Sequence, residues 1–596
     1  MRLEPSIARR SPRRPQWPDY GWLLVCLALS SGWCWTAARQ LSATFDEPLY
    51  VARGLERWRT GSHAGLMRLG TMPLPIDCDT LPLYLYEQWT GTPIDPVADL
   101  AWALPWARTT GLVFWWLLLV YGWLAGRTLA GAWGGRLAVA WLACEPNLLA
   151  HASLATTDIA ISACLLALIY HFRTGRQGDW KWRVGVPGLW FGAALLAKAS
   201  GMVFGPLCMI VVEVEKLLRE HWQTHAAHGT PRSWWDSLRS ARPMNWLYSP
   251  PACQFRRDLI QIVAIGFIVA FLYCGCDWRA EPSFVAWAHK LPDGPPQEIM
   301  VWISEHLQIF SNAGEGLVRQ VKHNLRGHHG AYLLGETYAR PVWYYFPLAL
   351  AIKLSLPLLL APVVVLMARR RALANWAGAA AFVLLLFSFN CRVQIGIRLV
   401  LPLIVLVVVA VATGLVTAAG TSSMLRRRLL GSAAVAAIAW TAFTSWRVWP
   451  EALCYTNELW GGTSHGYLCL SDSNYDWGQG VKELAQWWRQ RGVEPLDVWY
   501  FGTDPAAAAP PLRLLPLHIL PLQKPDDVRA FAQGRYLAVG TTLLYGTTTL
   551  EPGHRQAVEF FRGRQPVDRT STFLIYDLDE PLARRTRVEK GLPTRK

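Results

Sequence analysis

Leu399–Ala418 reads LVLPLIVLVVVAVATGLVTA, twenty residues without one charged side chain. At about 1.5 Å per residue, a helix of that length covers the roughly 30 Å hydrocarbon core of a bilayer. A helix also satisfies its own backbone where no water is available to do so. Working outward from this run, comparable apolar stretches lie near residues 20–40, 105–126, 131–149, 156–172, 184–199, 200–214, 259–276, 343–367, 374–390, 398–418 and 430–447. We read eleven transmembrane helices from them. The fifth and sixth abut at Ala199-Ser200-Gly201.

Charge tests the count. The N-terminus carries Arg2, Arg9, Arg10, Arg13 and Arg14, so it is placed in the cytoplasm. The basic clusters Arg173/Arg176/Lys181/Arg183, Arg256-Arg257, Arg369-Arg370-Arg371 and Arg426-Arg427-Arg428 then fall on the same side after even numbers of crossings. One missed span would invert everything after it. Arg-rich residues 1–19 form a cytoplasmic N-terminus, and no small-residue cleavage site follows the first apolar run, which is read as a retained helix.

The composition agrees. Only 17% of the 596 residues are charged, against about a quarter in a typical soluble protein, and there are 33 Trp. The net charge of +16 sits in short bursts between apolar runs, as topology signals do, and nucleic-acid binding is set aside. The twelve Cys form no CxxC pair. Several of them (Cys26, Cys164, Cys208, Cys274) read as small core residues, while Cys454 and Cys469 fall in an outer segment where a disulfide is open.

The expected organisation is an all-α polytopic membrane bundle over 20–447, with outer loops 41–104 and 277–342. A small extracytoplasmic α/β domain follows over 448–596. In that tail, Asp497–Phe501, Tyr536–Val539 and Thr572–Tyr576 read as strands and Gly480–Gln490 as an amphipathic helix. Pro505–Pro511 reads as a linker or exposed loop. No internal repeat of fixed period is visible.

Ionisable groups at the ends of spans are costly and each needs an explanation. Asp46-Glu47 follows the first span, where a carboxylate can act as general base or simply start a helix ahead of Pro48. Asp158 opens the fourth span, again as an acid or as a cap. Lys198 ends the fifth, where it can snorkel to the interface or pair with a phosphate. Arg398 sits on the outer side, against the topological bias, as a phosphate fork or an interfacial anchor, and Arg392 reads as an ordinary interfacial residue. Glu336 follows His328-His329 and precedes Trp343-Tyr-Tyr-Phe-Pro347, either in the site or as a solvated loop charge. The paired His would need a third ligand to hold a metal, and none stands at useful spacing.

Taken together, these segments resemble the glycosyltransferase-C superfamily, in the branch of protein O-mannosyltransferases and aminoarabinose (lipid A) transferases. The resemblance rests on Thr44-Phe-Asp46-Glu47-Pro, His151 to Asp158, Leu-Ala-Lys198, Tyr332-Leu-Leu-Gly-Glu336 and Ile395-Gly-Ile-Arg398. It continues in Tyr455-Thr-Asn457-Glu458-Leu-Trp-Gly-Gly and Asp472-Ser-Asn474-Tyr-Asp476-Trp477-Gly478-Gln479. It implies an inverting transfer from a polyprenyl-phosphate sugar to a hydroxyl acceptor on protein, lipid or glycan, at the periplasmic face of a bacterial inner membrane. By motif, Asp46 would be the base and Asp158 would orient the base or the acceptor. Lys198 and Arg398 would hold the donor phosphate, with Glu47 and Glu336 among the substrate contacts. No role comes over for Asp472–Gln479. No cofactor is assigned, and a divalent metal stays open because relatives differ.

The chain departs from its relatives at Thr71-Met72-Pro73-Leu74-Pro75, where they often carry His or Asn before Pro-Pro, and at Leu399, where they often carry His. Two other readings stand beside the enzyme: a transporter or flippase of lipid-linked sugar, and an inactive relative acting as a binding scaffold.

Overall fold

The computed structural model describes residues 15–227, 250–276, 278–280, 282–308, 312–327, 330–492, 495–515, 517, 525–546 and 552–579. The chain opens with α1 (Trp17–Gln40), whose Asp19 is held by Arg127 and Arg136 of a later helix. Three outer helices follow: α2 (Glu47–Thr60), α3 (Ala64–Leu69) and α4 (Pro73–Thr90). Next come α5 (Leu100–Leu142), α6 (Pro146–Ala152), α7 (Asp158–Gly175), α8 (Val186–Ala197), α9 (Gly201–Ala227) and α10 (Pro250–Cys274).

The second long loop holds α11 (Pro282–Ala288), α12 (Pro295–His306), α13 (Ala313–Arg326) and the antiparallel hairpin β1 (Ala331–Leu333) and β2 (Glu336–Tyr338). The bundle closes with α14 (Tyr345–Lys353), α15 (Leu356–Ala368), α16 (Trp376–Ser388), α17 (Leu401–Gly420) and α18 (Met424–Arg447).

Among the described residues, five helices are long and apolar enough to cross a membrane, and a sixth if α14 and α15, bent by 106°, make one span. These are the helices of an integral membrane protein. The run quoted at the outset is the central one: 83% of its apolar window is buried, against 22–50% in the other four. The expected eleven spans do not all appear as separate crossing helices. The run at 105–126 and the first part of that at 131–149 lie in the 43-residue α5, which is two helices joined at Ala130 and Gly131, with Gly131 at φ +72°, and the second run ends in α6. The run at 374–390 gives a helix of only 13 residues, whereas the run at 184–199 continues without a break from the π-helical turn Lys181–Gly185 into α8. The boundary expected near Ser200 is real: Lys198 is extended (φ −161°, ψ 141°) and separates α8 from α9.

The tail carries a five-stranded sheet in the order β4-β3-β5-β7-β6. Its strands are β3 (Leu496–Trp499), β4 (Leu512–Leu514), β5 (Tyr536–Gly540), β6 (Asp568–Arg569) and β7 (Phe573–Asp577). β3 is parallel to β4 and β5, and β7 is antiparallel to β5 and β6. Both faces of the central strands are covered, so Tyr536–Gly540 and Phe573–Tyr576 read without a charged residue. Leu537, Val539, Leu574 and Tyr576 pack with Val558 and Phe561 on one face. Ala538, Phe573 and Ile575 pack on the other with Val481, Leu484 and Trp488 of α19 (Val481–Arg489). The run Pro505–Pro511, read as a linker or exposed loop, holds the short 3-10 turn Pro505–Ala508, and β4 follows it. Cys454 and Cys469 are free thiols; their Sγ atoms donate to the carbonyls of Tyr475 and Trp460.

Candidate functional site

Asp46 is the N-cap of α2, yet its side chain makes no capping hydrogen bond. The carboxylate turns instead to Arg398, whose Nη1 donates to Oδ2 at 2.9 Å across 352 positions of sequence. Arg398 sits in the 3-10 turn Ile397–Val400 that leads into α17, and its guanidinium lies 4.0 Å from the ring centre of Trp477. The Arg398 Nε is buried without a hydrogen-bond partner.

Asp158 is the first residue of α7 and is fully buried. Its Oδ1 accepts from Lys198 Nζ at 2.6 Å, and its Oδ2 is 4.0 Å from His151 Nδ1. Lys198 therefore points inward to an acid, and the interfacial reading is set aside. The break between α8 and α9 is what frees its backbone to turn that way.

Asp46, Lys198 and Arg398 line one cavity of about 1090 Å³, together with Tyr50, Thr157 and Ser200. Arg326, Arg340 and Arg392 stand on the same lining. The cavity thus presents one carboxylate facing several cations, with apolar walls such as Met202, Phe204 and Phe387. Such a lining suits a phosphate joined to a hydrocarbon chain. A second cavity of about 1230 Å³ lies at the C-terminal ends of α1 and α18 and holds none of these three residues.

Two expected substrate contacts are placed elsewhere. Glu47 is fully buried: Arg108 donates to it from Nε at 2.8 Å and Nη2 at 2.6 Å. The backbone N–H of Thr44 and that of Ala155 each donate to it at 2.8 Å. No lone pair is left for a substrate, so Glu47 belongs to the scaffold behind the site. Burial alone would raise its pKa, but the Arg108 guanidinium and these donors outweigh it and hold it below the usual range. Glu336 is exposed on β2, accepts from the Tyr338 hydroxyl at 2.9 Å and is off the cavity lining. A turn exposed to water explains that position.

Sequence reasoning missed the His151 ring beside Asp158 and the Trp477 ring under Arg398. It also took Arg392 for an anchor, whereas Arg392 lines the cavity. The signal for Trp477 was present as a motif without a role. Among the described residues no three His, Cys, Asp or Glu gather as a metal set, and His328-His329 lie outside those residues.

Residues 82–230 match the model of the dolichyl-phosphate-mannose-protein mannosyltransferase family. Over that stretch the resemblance to the protein mannosyltransferase family holds. The matched stretch contains Arg108, His151, Asp158 and Lys198, and leaves Asp46, Arg398 and the tail outside it. No curated protein matches the chain significantly. Solved structures similar to it include ArnT from Cupriavidus metallidurans in the apo state, 13% identical over 94% of this chain and 98% of that one, with a TM-score of 0.42. The same ArnT bound to undecaprenyl phosphate is 14% identical over 93% and 97%, TM-score 0.42. The archaeal oligosaccharyltransferase AglB from Archaeoglobus fulgidus, in complex with an inhibitory peptide and a dolichol-phosphate, is 11% identical over 95% and 76%, TM-score 0.42.

Proposed function

We propose that this chain is an inverting glycosyltransferase that moves a sugar from a polyprenyl-phosphate donor to a hydroxyl acceptor on the outer membrane face. The observation that carries the reading is the convergence of Asp46, Lys198 and Arg398 on one cavity, from three distant parts of the chain. The apolar walls would take the polyprenyl chain, and Lys198 and Arg398 its phosphate.

In the reaction, the acceptor oxygen attacks the anomeric carbon as Asp46 takes its proton. The bond from that carbon to the phosphate oxygen breaks, and the electron pair leaves with the phosphate. Phosphate is a good leaving group, so cations that stabilise its growing charge suffice and no general acid is required. Asp46 is paired with Arg398. A donor phosphate would compete for that guanidinium and release the carboxylate toward the acceptor. Asp158, joined to Lys198, would fix the direction of the ammonium group.

The test is release of free undecaprenyl phosphate from undecaprenyl-phosphate mannose and undecaprenyl-phosphate aminoarabinose, by the full chain in proteoliposomes. Wild type should release it, and Asp46→Asn should slow release by about 10²–10⁴-fold while folding and inserting normally. Transfer by Asp46→Asn at the wild-type rate would remove the base assignment. Donor movement across the bilayer without release would replace the enzyme with a transporter.

A further inference from the structure

The motif Asp472–Gln479 touches both halves of the reaction centre. On the Asp46 side, the Phe45 N–H donates to the Trp477 carbonyl at 2.8 Å and the Ser42 N–H to the Gln479 carbonyl at 2.9 Å. On the Arg398 side, the Ile397 N–H donates to Asn474 Oδ1 at 2.9 Å, and Ser473 Oγ donates to the Ile395 carbonyl at 2.7 Å. Every one of these bonds ends within a few residues of Asp46 or Arg398.

The loop itself is held hard in place. Lys353 of α14 is buried and donates its three protons to the carbonyls of Leu453, Tyr455 and Asn474, at 2.8, 2.6 and 2.7 Å. Asn474 Nδ2 donates to the Tyr345 hydroxyl at 2.9 Å. Asp476 Oδ2 accepts from Thr541 Oγ1 at 3.1 Å and from the Thr542 N–H at 3.0 Å, which ties the loop to the sheet domain. Gly478 stands at φ +98°, and a Cβ there would meet Tyr500 Oη at 2.9 Å and the Cα of Gly502 at 3.0 Å. Asp472, a non-glycine residue at φ +54°, is strained where the loop turns toward the centre.

We infer that the Asp472–Gln479 loop is the positioning element of the reaction centre, in which Trp477 fixes the Arg398 guanidinium and Asn474 fixes the backbone that carries it. Trp477 is 1% exposed and its ring face covers the Arg398 guanidinium. A guanidinium stacked in this way keeps its plane, and therefore its fork, in a fixed orientation. The loop joins two segments more than 350 residues apart, so it sets the separation between base and phosphate cation. The inference rests on the functional reading above.

The test measures binding of undecaprenyl phosphate to the full purified chain in nanodiscs, for wild type, Trp477→Phe, Trp477→Leu, Arg398→Gln and the double variant Arg398→Gln/Trp477→Leu. Arg398→Gln should weaken binding more than tenfold. Trp477→Leu should weaken it about tenfold and Trp477→Phe about threefold or less, because Phe keeps a flat ring. In the Arg398→Gln background, Trp477→Leu should add nothing, since the indole acts through the guanidinium. An equal further loss in that background would reduce Trp477 to a packing residue and overturn the inference. No Arg398-dependent binding by wild type would instead bring down the donor reading, and the positioning role with it.

Amide exchange of segments 42–46 and 395–398 reads the loop independently of any ligand. Both should exchange faster in Asn474→Ala, which also removes the acceptor for the Ile397 N–H. Unchanged exchange there would overturn the role of Asn474 even where ligand binding behaves as expected.

Discussion

Asp46 and Glu47 are neighbours in sequence and share a charge, yet the fold gives them opposite environments. Asp46 is 23% exposed, faces the cavity and has one cationic partner, Arg398. Glu47 is 0% exposed, and its carboxylate is fully occupied by Arg108 and two backbone amides. The difference lies in the direction of two successive side chains at the start of α2: one points outward into the cavity, the next back into the scaffold. The sealed pair fixes the loop and the helix so that the open acid can stand where a substrate reaches it.

The largest way to break that comparison is at the sealed pair. Glu47→Gln leaves Arg108 buried without a counter-charge, and breaking a buried pair from one side costs about 3–5 kcal/mol. We expect a large fall in the melting temperature of the purified protein, a loss that Asp46→Asn should not reproduce. The pH dependence follows the same sign. Glu47 is held below its ordinary value, so its contribution is present above the unfolded carboxylate pKa of about 4.3 and is lost as pH falls through the lower folded value. A Glu47→Gln protein as stable as wild type at neutral pH would mean that the pair supplies no net stability.

Much of this architecture was legible because apolar runs and charge bursts are local signals. The central run at Leu399–Ala418, the break beside Lys198 and the strands β3, β5 and β7 of the tail lie where their patterns indicate, while β4 and β6 carried no such pattern. The number of crossings was less legible. Apolar runs of 12–18 residues pack inside a helical bundle as readily as they cross a bilayer, and the 13-residue α16 is such a run. In the site, Asp46, Lys198 and Arg398 could be named from their positions at span ends. What sequence could not separate was Asp46 from Glu47, since which of two adjacent acids faces a cavity depends on Arg108, 61 residues further along the chain. The same limit hid Trp477, whose partner Arg398 is distant in sequence.

A smaller effect sharpens the comparison within the outer helices. Asp79 of α4 is 2% exposed and neither carboxylate oxygen has a hydrogen-bond partner. Burial, with the charge of Glu47 adding to it, raises its pKa well above the ordinary value. The sign is opposite to that of Glu47. An acid whose folded pKa is raised stays protonated in the native state while the unfolded chain ionises above about 3.9, so it costs stability as pH rises toward the folded value. The slope is at most about 1.4 kcal/mol per pH unit. Asp79→Asn should flatten denaturation midpoints measured from pH 4 upward through neutrality, by removing that slope. Identical pH profiles for the two proteins would place a proton acceptor or donor against Asp79.

The smallest expected effect is at Glu336, which tests how far exposure alone predicts dispensability. Its carboxylate is on the water-facing hairpin, with the Tyr338 hydroxyl as its partner, and lies off the lining that holds Asp46 and Arg398. Water replaces such a partner at little cost, so Glu336→Gln should shift stability by no more than about 0.5 kcal/mol. Its effect on release of undecaprenyl phosphate should be less than twofold, whereas Asp46→Asn should slow release by about 10²–10⁴-fold. A Glu336→Gln protein with intact melting but a tenfold loss of release would show that the hairpin closes onto the cavity during the reaction. The carboxylate would then have to travel to the acceptor side of Asp46, and the division between an open acid and a sealed one would have to include a third acid that moves.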